Sequence, residues 1–100
     1  MNNQQKCLNL LGLAQRAGKV ISGEELVIKS IQTGQARLVF LAKDAGPNLS
    51  KKINDKTSYY QVAISTGFST LEMSTAIGKP RKVLAVTDAG FVKKMRSMME

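Results

Sequence analysis

The run Arg37-Leu-Val-Phe-Leu-Ala42 is apolar at five successive positions, with helix-period segments on both sides of it. Side chains of a strand point alternately to opposite faces. A strand that is apolar at consecutive residues therefore has to be covered on both faces. One such strand commits the chain to a layered fold, with helices above and below a sheet. Residues 83–86 hold another long apolar run.

The flanking segments supply the layers. Leu8, Leu10, Leu11, Ala14 and Ala17 recur at helical spacing and predict a helix over residues 3–17. Gly18 follows as its stop. Val20-Ile21 is a brief strand. Residues 23–33 read as a second helix with Leu26, Val27, Ser30 and Ile31 on its inner face and Gly34 at its end. A turn over residues 43–47 precedes a third helix that starts near Asn48 and carries Leu49, Lys52, Ile53 and Lys56. Residues 60–65 read as a strand, 67–69 as a loop and 70–77 as a short helix stopped by Gly78. Pro80 breaks the chain before a strand over 82–87. A last helix over 88–99 has Phe91, Val92, Met95, Met98 and Met99 as its apolar side. The order predicts an α/β class fold: a three-layer α/β/α sandwich with a central mixed four-stranded sheet. Residues 1–100 are expected to form one domain, since this length buries enough surface for an independent core.

Charge narrows the function. Fifteen Lys and Arg stand against seven Asp and Glu, a formal net charge of +8. Such an excess points to a polyanionic partner, nucleic acid or an anionic membrane. The basic residues are spread along the whole chain rather than gathered on one long amphipathic helix, which argues against a membrane surface. The apolar runs are too short to span a bilayer. The first residues lack the pattern of a secretory signal, and Cys7 has no second cysteine to pair with. The expectation is a cytoplasmic protein.

Catalytic groups are sparse. There is no histidine, so the commonest general base and metal ligand is missing. Cys7 sits on an amphipathic segment beside Leu8 and reads as an inert thiol. Gly12, Gly18 and Gly23 are too scattered for a phosphate-binding loop. Asp44 and Asp88 each follow a strand and read as turn or cap residues. The chain is expected not to be an enzyme and to need no cofactor or metal.

The candidate site is Lys19-Val-Ile-Ser-Gly-Glu-Glu-Leu-Val-Ile-Lys29. A strand enters a Ser-Gly turn, and a helix then opens with two carboxylates. One reading is purely architectural. Ser22 caps the helix, and Glu25, three residues on, completes a capping box. The other reading is recognition of RNA. Carboxylates accept from exocyclic base amines and a lysine donates to guanine acceptors. In RNA those edges open at bulges, loops and non-Watson–Crick pairs. Gly23 lets a base approach the backbone, and Lys29 shares the face of Glu25 one turn away. Lys19, Lys29 and Lys43 are the candidate phosphate contacts. Lys79, Arg81 and Lys82 cluster beside Pro80, either on the same face or simply in solvent.

Leu-Gly-Leu-Ala-Gln-Arg-Ala-Gly-Lys (residues 11–19), Ser-Gly-Glu-Glu-Leu-Val-Ile-Lys (22–29), Leu-Val-Phe-Leu-Ala-Lys-Asp-Ala (38–45) and Ala-Ile-Gly-Lys (76–79) resemble the ribosomal protein L-seven-Ae family. Within it, the small bacterial members encoded among translation factors are the nearer likeness. The resemblance implies an α/β/α sandwich that binds kink-turn RNA. It implies a helix N-terminus that presents Gly-x-Asn-Glu-x-x-Lys to the tandem sheared G·A pairs. By position, Gly23 matches the glycine, Glu25 the asparagine, Leu26 the glutamate and Lys29 the lysine. Two of the four thus differ in kind, and Glu24 is the nearest replacement for the missing acceptor. The resemblance also implies a loop before the fourth helix that packs on an extruded nucleotide. Here it is Thr66-Gly-Phe-Ser-Thr70, in which Phe68 is either a base-stacking ring or a core aromatic. The expected partners are structured RNA, of the ribosome or a messenger, and ribosomal proteins. The alternative is a ribosome-associated interaction protein on the same fold that has lost specific kink-turn recognition.

Overall fold

Nine elements alternate along the chain in the computed structural model, which describes residues 2–99. They are α1 (Asn3–Arg16), β1 (Val20–Ser22), α2 (Glu24–Gln32), β2 (Leu38–Leu41), α3 (Pro47–Tyr59), β3 (Ala63–Ser65), α4 (Thr70–Ile77), β4 (Val83–Val86) and α5 (Ala89–Met99). The strands form one sheet in the order β1-β4-β2-β3. β4 pairs antiparallel with both β1 and β2, while β3 runs parallel to β2, so the sheet is mixed as expected.

The pleat divides the core. Leu38, Phe40, Leu84 and Val86 meet Leu8 and Leu11 of α1, Met73 and Ile77 of α4, and Val92 and Met95 of α5. Val39, Leu41, Val83 and Ala85 meet Val27 and Ile31 of α2 and Ile53 of α3. Each of these side chains larger than alanine contributes roughly 1.5–3 kcal/mol by leaving water. β2 and β4 are buried at all four positions, while β1 and β3 are half-buried edges. This is the two-sided cover that the run at residues 38–42 requires.

α1 lies unusually close to α4. A Cβ on Gly12 would sit 2.9 Å from the carbonyl oxygen of Ala76. Only glycine allows this helix crossing.

Two predicted boundaries move. α3 starts at Pro47, one residue before the expected start, because proline suits the first turn of a helix, where its missing N–H is not needed. The strand expected over residues 60–65 shrinks to Ala63–Ser65. α3 continues to Tyr59, with Ile53 and Thr57 buried beneath it. Tyr60 ends the helix and Gln61 turns the chain at φ 57°. Tyrosine and valine favour strands in general, but here the buried helix face decides.

Candidate nucleic-acid interface

The sheet register sorts the candidate residues between two ends. Ser22 lies opposite Leu84, and the Gly23 N–H donates to the Val83 carbonyl at 3.2 Å. Leu41 also lies opposite Val83, and the Ala42 N–H donates to the Lys82 carbonyl at 2.9 Å. Gly23, Lys43 and Lys82 therefore meet at one end. The loop after β3 joins them, since the Lys43 N–H donates to the Phe68 carbonyl at 2.8 Å. Lys19 is at the other end. Its carbonyl accepts from the Thr87 N–H at 3.0 Å, next to Arg37, whose N–H donates to Val86. Roughly 13 Å of extended chain separates Lys19 from Gly23. The expected common footprint of Lys19 with Lys43 is not formed.

The start of α2 differs from the expected capping box. Ser22 is held in the sheet by its pairing with Leu84, and Gly23 is the cap residue, at φ 96° and ψ 149°. No side chain caps this helix. The positive φ of Gly23 makes the sharp exit from the strand, a conformation that favours glycine. First-turn N–H groups are thus left without side-chain acceptors, and Glu24 and Glu25 stand in the favourable field of the helix dipole.

The two carboxylates have separate fates. Glu24 turns to α3, where its Oε2 lies 2.8 Å from Lys52 Nζ. Glu25 remains exposed on the outer face. Val27, Ser30 and Ile31 point inward, so a period of 3.6 residues sends Glu25, Leu26 and Lys29 outward together. Leu26 was expected on the inner face and is instead 61% exposed. It stands between the acid and the lysine, and the helix needs only one buried stripe to hold its place.

The neighbouring loop is tightly built. Asp44 Oδ1 accepts from the Thr70 N–H at 2.8 Å and from the Thr70 hydroxyl at 2.9 Å. These bonds, helped by nearby Lys82, hold the Asp44 carboxyl below its ordinary value. A capping box does exist, but at α4. Ser69 Oγ accepts from the Glu72 N–H at 3.1 Å, and Glu72 Oε1 accepts from the Ser69 N–H at 2.9 Å. The bond from the Ser69 backbone, with Lys43 close by, lowers the Glu72 carboxyl too. The Ser-x-x-Glu spacing at residues 69–72 was visible in the sequence and equals that at 22–25. Pairing of Ser22 in the sheet separates the two cases.

Phe68 belongs to the core. It is 4% exposed, and its ring centroid lies 6.0 Å from that of Phe40. Its ring therefore offers no face for stacking on a nucleotide in this conformation. The exposed apolar side chain nearby is Leu71, in the first turn of α4 at 76%. Cys7 is buried, and burial pushes its thiol up, away from the reactive thiolate. Lys82 gains most from the structure. It reaches the Gly23 end because β4 is antiparallel to β1, a pairing that sequence patterns do not reveal.

Residues 5–96 match the Ribosomal protein L7Ae/L30e/S12e/Gadd45 family. The chain belongs to this family. It is a family of ribosomal-type proteins and not of enzymes. The chain is 51% identical over 98 residues to RNA-binding protein YlxQ of Enterococcus faecium, covering 98% of this chain and 95% of that one. It is 49% identical over 92 residues to RNA-binding protein YlxQ of Bacillus subtilis (strain 168), covering 91% and 92%. A large ribosomal subunit protein eL30, from Spodoptera frugiperda, is 34% identical over 87 residues, with coverage of 80% and 74%. Among solved structures, a Bacillus halodurans C protein of unknown function superposes with a TM-score of 0.89 at 43% identity, covering 94% and 96%. A Giardia lamblia 15.5kD RNA binding protein shares the fold, with a TM-score of 0.83 at 18% identity over 96% and 83%.

Proposed function

We propose that this protein binds structured RNA of the kink-turn type, in association with the ribosome or translation, through the Gly23 end of its sheet. One observation carries the reading. Glu25, Leu26 and Lys29 form an outward line on α2 from an uncapped helix start, beside Lys43 and Lys82. The chemistry has two parts. Lys43 and Lys82 meet the crowded phosphates of a kink, a salt-sensitive attraction. Glu25 and Lys29 present an acceptor and a donor to unpaired purine edges. Glu24 contributes by holding α2 to α3 through Lys52, and not as a free acceptor. The names of the relatives, RNA-binding and ribosomal, support a cytoplasmic site of action.

The second reading is an interaction protein that docks on the ribosome without reading the kink. Exposed Leu26 and Leu71 are the apolar side chains that such a partner would cover. A gel shift separates the two. Kink-turn RNA is compared with the same RNA lacking its G·A pairs. Preference for the intact motif supports kink-turn recognition, and equal binding selects the second reading.

A further inference from the structure

The end of the sheet opposite Gly23 carries its own surface. A groove of about 820 Å³ opens there between Gly34, Arg37, Tyr60, Gln61 and Arg96. A second of about 480 Å³ adjoins it, bounded by Arg37, Val92, Lys93 and Arg96. The two share both arginines. Among the described residues no carboxylate lines either groove, and Arg37, Lys93 and Arg96 form no ion pair. One acid is near, since Asp55 lies in the recess beside Tyr59 and Tyr60, where it is paired with Lys51 at 2.9 Å; most of the others are elsewhere. Glu24, Glu25, Asp44 and Glu72 gather at the Gly23 end. Asp88, at the start of α5, is engaged by the Phe91 N–H at 2.9 Å. The excess positive charge is therefore skewed away from the α2 site.

The neighbours of the groove point to a particular partner. α2 and α3 both end at the larger groove, where the carbonyls of Lys29, Ser30, Ile31, Lys56, Thr57 and Ser58 already accept from backbone N–H groups of the turns that follow. The arginines are thus the groups left to meet a ligand, and guanidiniums take phosphates. Next to Tyr60, Tyr59 is 80% exposed, with its ring edge-on to Tyr60 at 4.8 Å. Tyr60 lines the groove and also a neighbouring recess with Lys52, Asp55, Lys56 and Tyr59. Exposed rings beside a basic groove offer stacking faces. A duplex keeps its base faces hidden, whereas an unpaired strand presents them.

We propose that this second face binds an unpaired RNA strand, with Arg37, Lys93 and Arg96 on the phosphates and Tyr59 and Tyr60 on the bases. It would hold a single-stranded stretch of the same or another RNA while the Gly23 end is separately engaged. The face does not depend on kink-turn recognition.

The test uses the full chain and an unstructured oligouridylate of about ten nucleotides, a length within the reach of one small binding domain. Affinity is read by fluorescence anisotropy over a range of salt. Arg37→Gln/Arg96→Gln is expected to weaken binding by about tenfold. The slope of log affinity against log salt should flatten by about 1.4, two phosphates at ~0.7 each. Tyr59→Ala should weaken binding several-fold. Lys6→Gln/Lys79→Gln, with the same change in charge, should leave it nearly unchanged, and Arg37→Lys/Arg96→Lys should keep the salt slope. Thermal melts confirm that each variant folds. Equal losses in the two glutamine pairs would reduce the face to net charge and overturn the proposal. So would tighter binding of a plain duplex than of the oligouridylate, or no binding of the oligouridylate at all. Kink-turn reading is scored apart, by Lys29→Ala on kink-turn RNA, and Lys29→Ala should not move the oligouridylate affinity.

Discussion

Asp44 and Thr70 are joined by two hydrogen bonds, from the Thr70 N–H at 2.8 Å and its hydroxyl at 2.9 Å, to a single carboxylate oxygen. The pair locks the turn after β2 to the first turn of α4. Lys43 stands immediately before Asp44 and is bonded through its own N–H to Phe68. The position of one proposed phosphate contact is thus set by a neutral threonine and a negative aspartate.

Asp44→Ala should therefore loosen that turn without touching RNA directly. The expected outcome is a melting temperature lower by a few degrees and a several-fold loss of kink-turn affinity. Asp44→Asn, which keeps an acceptor oxygen, should retain most of both. Anisotropy and thermal melts on the three proteins check this. An unchanged affinity in the alanine variant would remove the turn from the site.

Lys29 and Lys19 should behave differently, although each flanks the same short segment. Lys29→Ala is expected to weaken the kink-turn complex by about 1–3 kcal/mol, the cost of losing a contact to a guanine edge. Lys19→Ala should leave the preference for the intact motif unaltered, because its residue lies at the opposite end of the sheet. Equal effects from the two substitutions would contradict the placement.

Acid should destabilise the same turn. The folded carboxyls of Asp44 and Glu72 are both lowered, chiefly by backbone hydrogen bonds from Thr70 and Ser69. A lowered folded value means that the stabilisation is complete above the unfolded value of about 4. It is lost as pH falls through the folded value, when the extra protons bind the unfolded chain first. The contribution of these two groups to the melting temperature should be flat from pH 7 to 5 and fall below about 4. Asp44→Asn/Glu72→Gln should start lower at pH 7 and show a shallower fall.

Gly12→Ala tests the close crossing of α1 and α4. Alanine normally favours a helix over glycine by about 1 kcal/mol. Here its Cβ would meet the backbone oxygen of Ala76 at 2.9 Å, and a carbonyl cannot rotate away as a side chain can. The net outcome should be destabilisation of roughly 1–3 kcal/mol, as in other overpacked interiors. Chemical denaturation measures it. A stabilised variant would show that the helices can part freely.

Local chemistry carried much of this protein in readable form. The apolar run at residues 38–42 needed helices on both sides, and the 3.6-residue stripes of α1, α2 and α5 supplied them. The helix over residues 70–77 was legible to the residue, with Gly78 as its stop, and the structure adds Ser69 as its cap. The outward neighbours Glu25 and Lys29 follow from spacing alone. Spacing did not resolve Ser22 from Ser69, which precede the same x-x-Glu pattern. It did not show that Phe68 fills the core against Phe40, since a lone aromatic in a loop has no period to betray its direction.

Pairing between distant strands settled the rest. Periodicity reports which side of its own element a residue occupies, but it carries no information on which element lies alongside. The antiparallel register of β4 with β1 and β2 brings Lys82 to Gly23 and sends Lys19 to Arg37. Those contacts span tens of residues of chain, and they exist only once the sheet has closed.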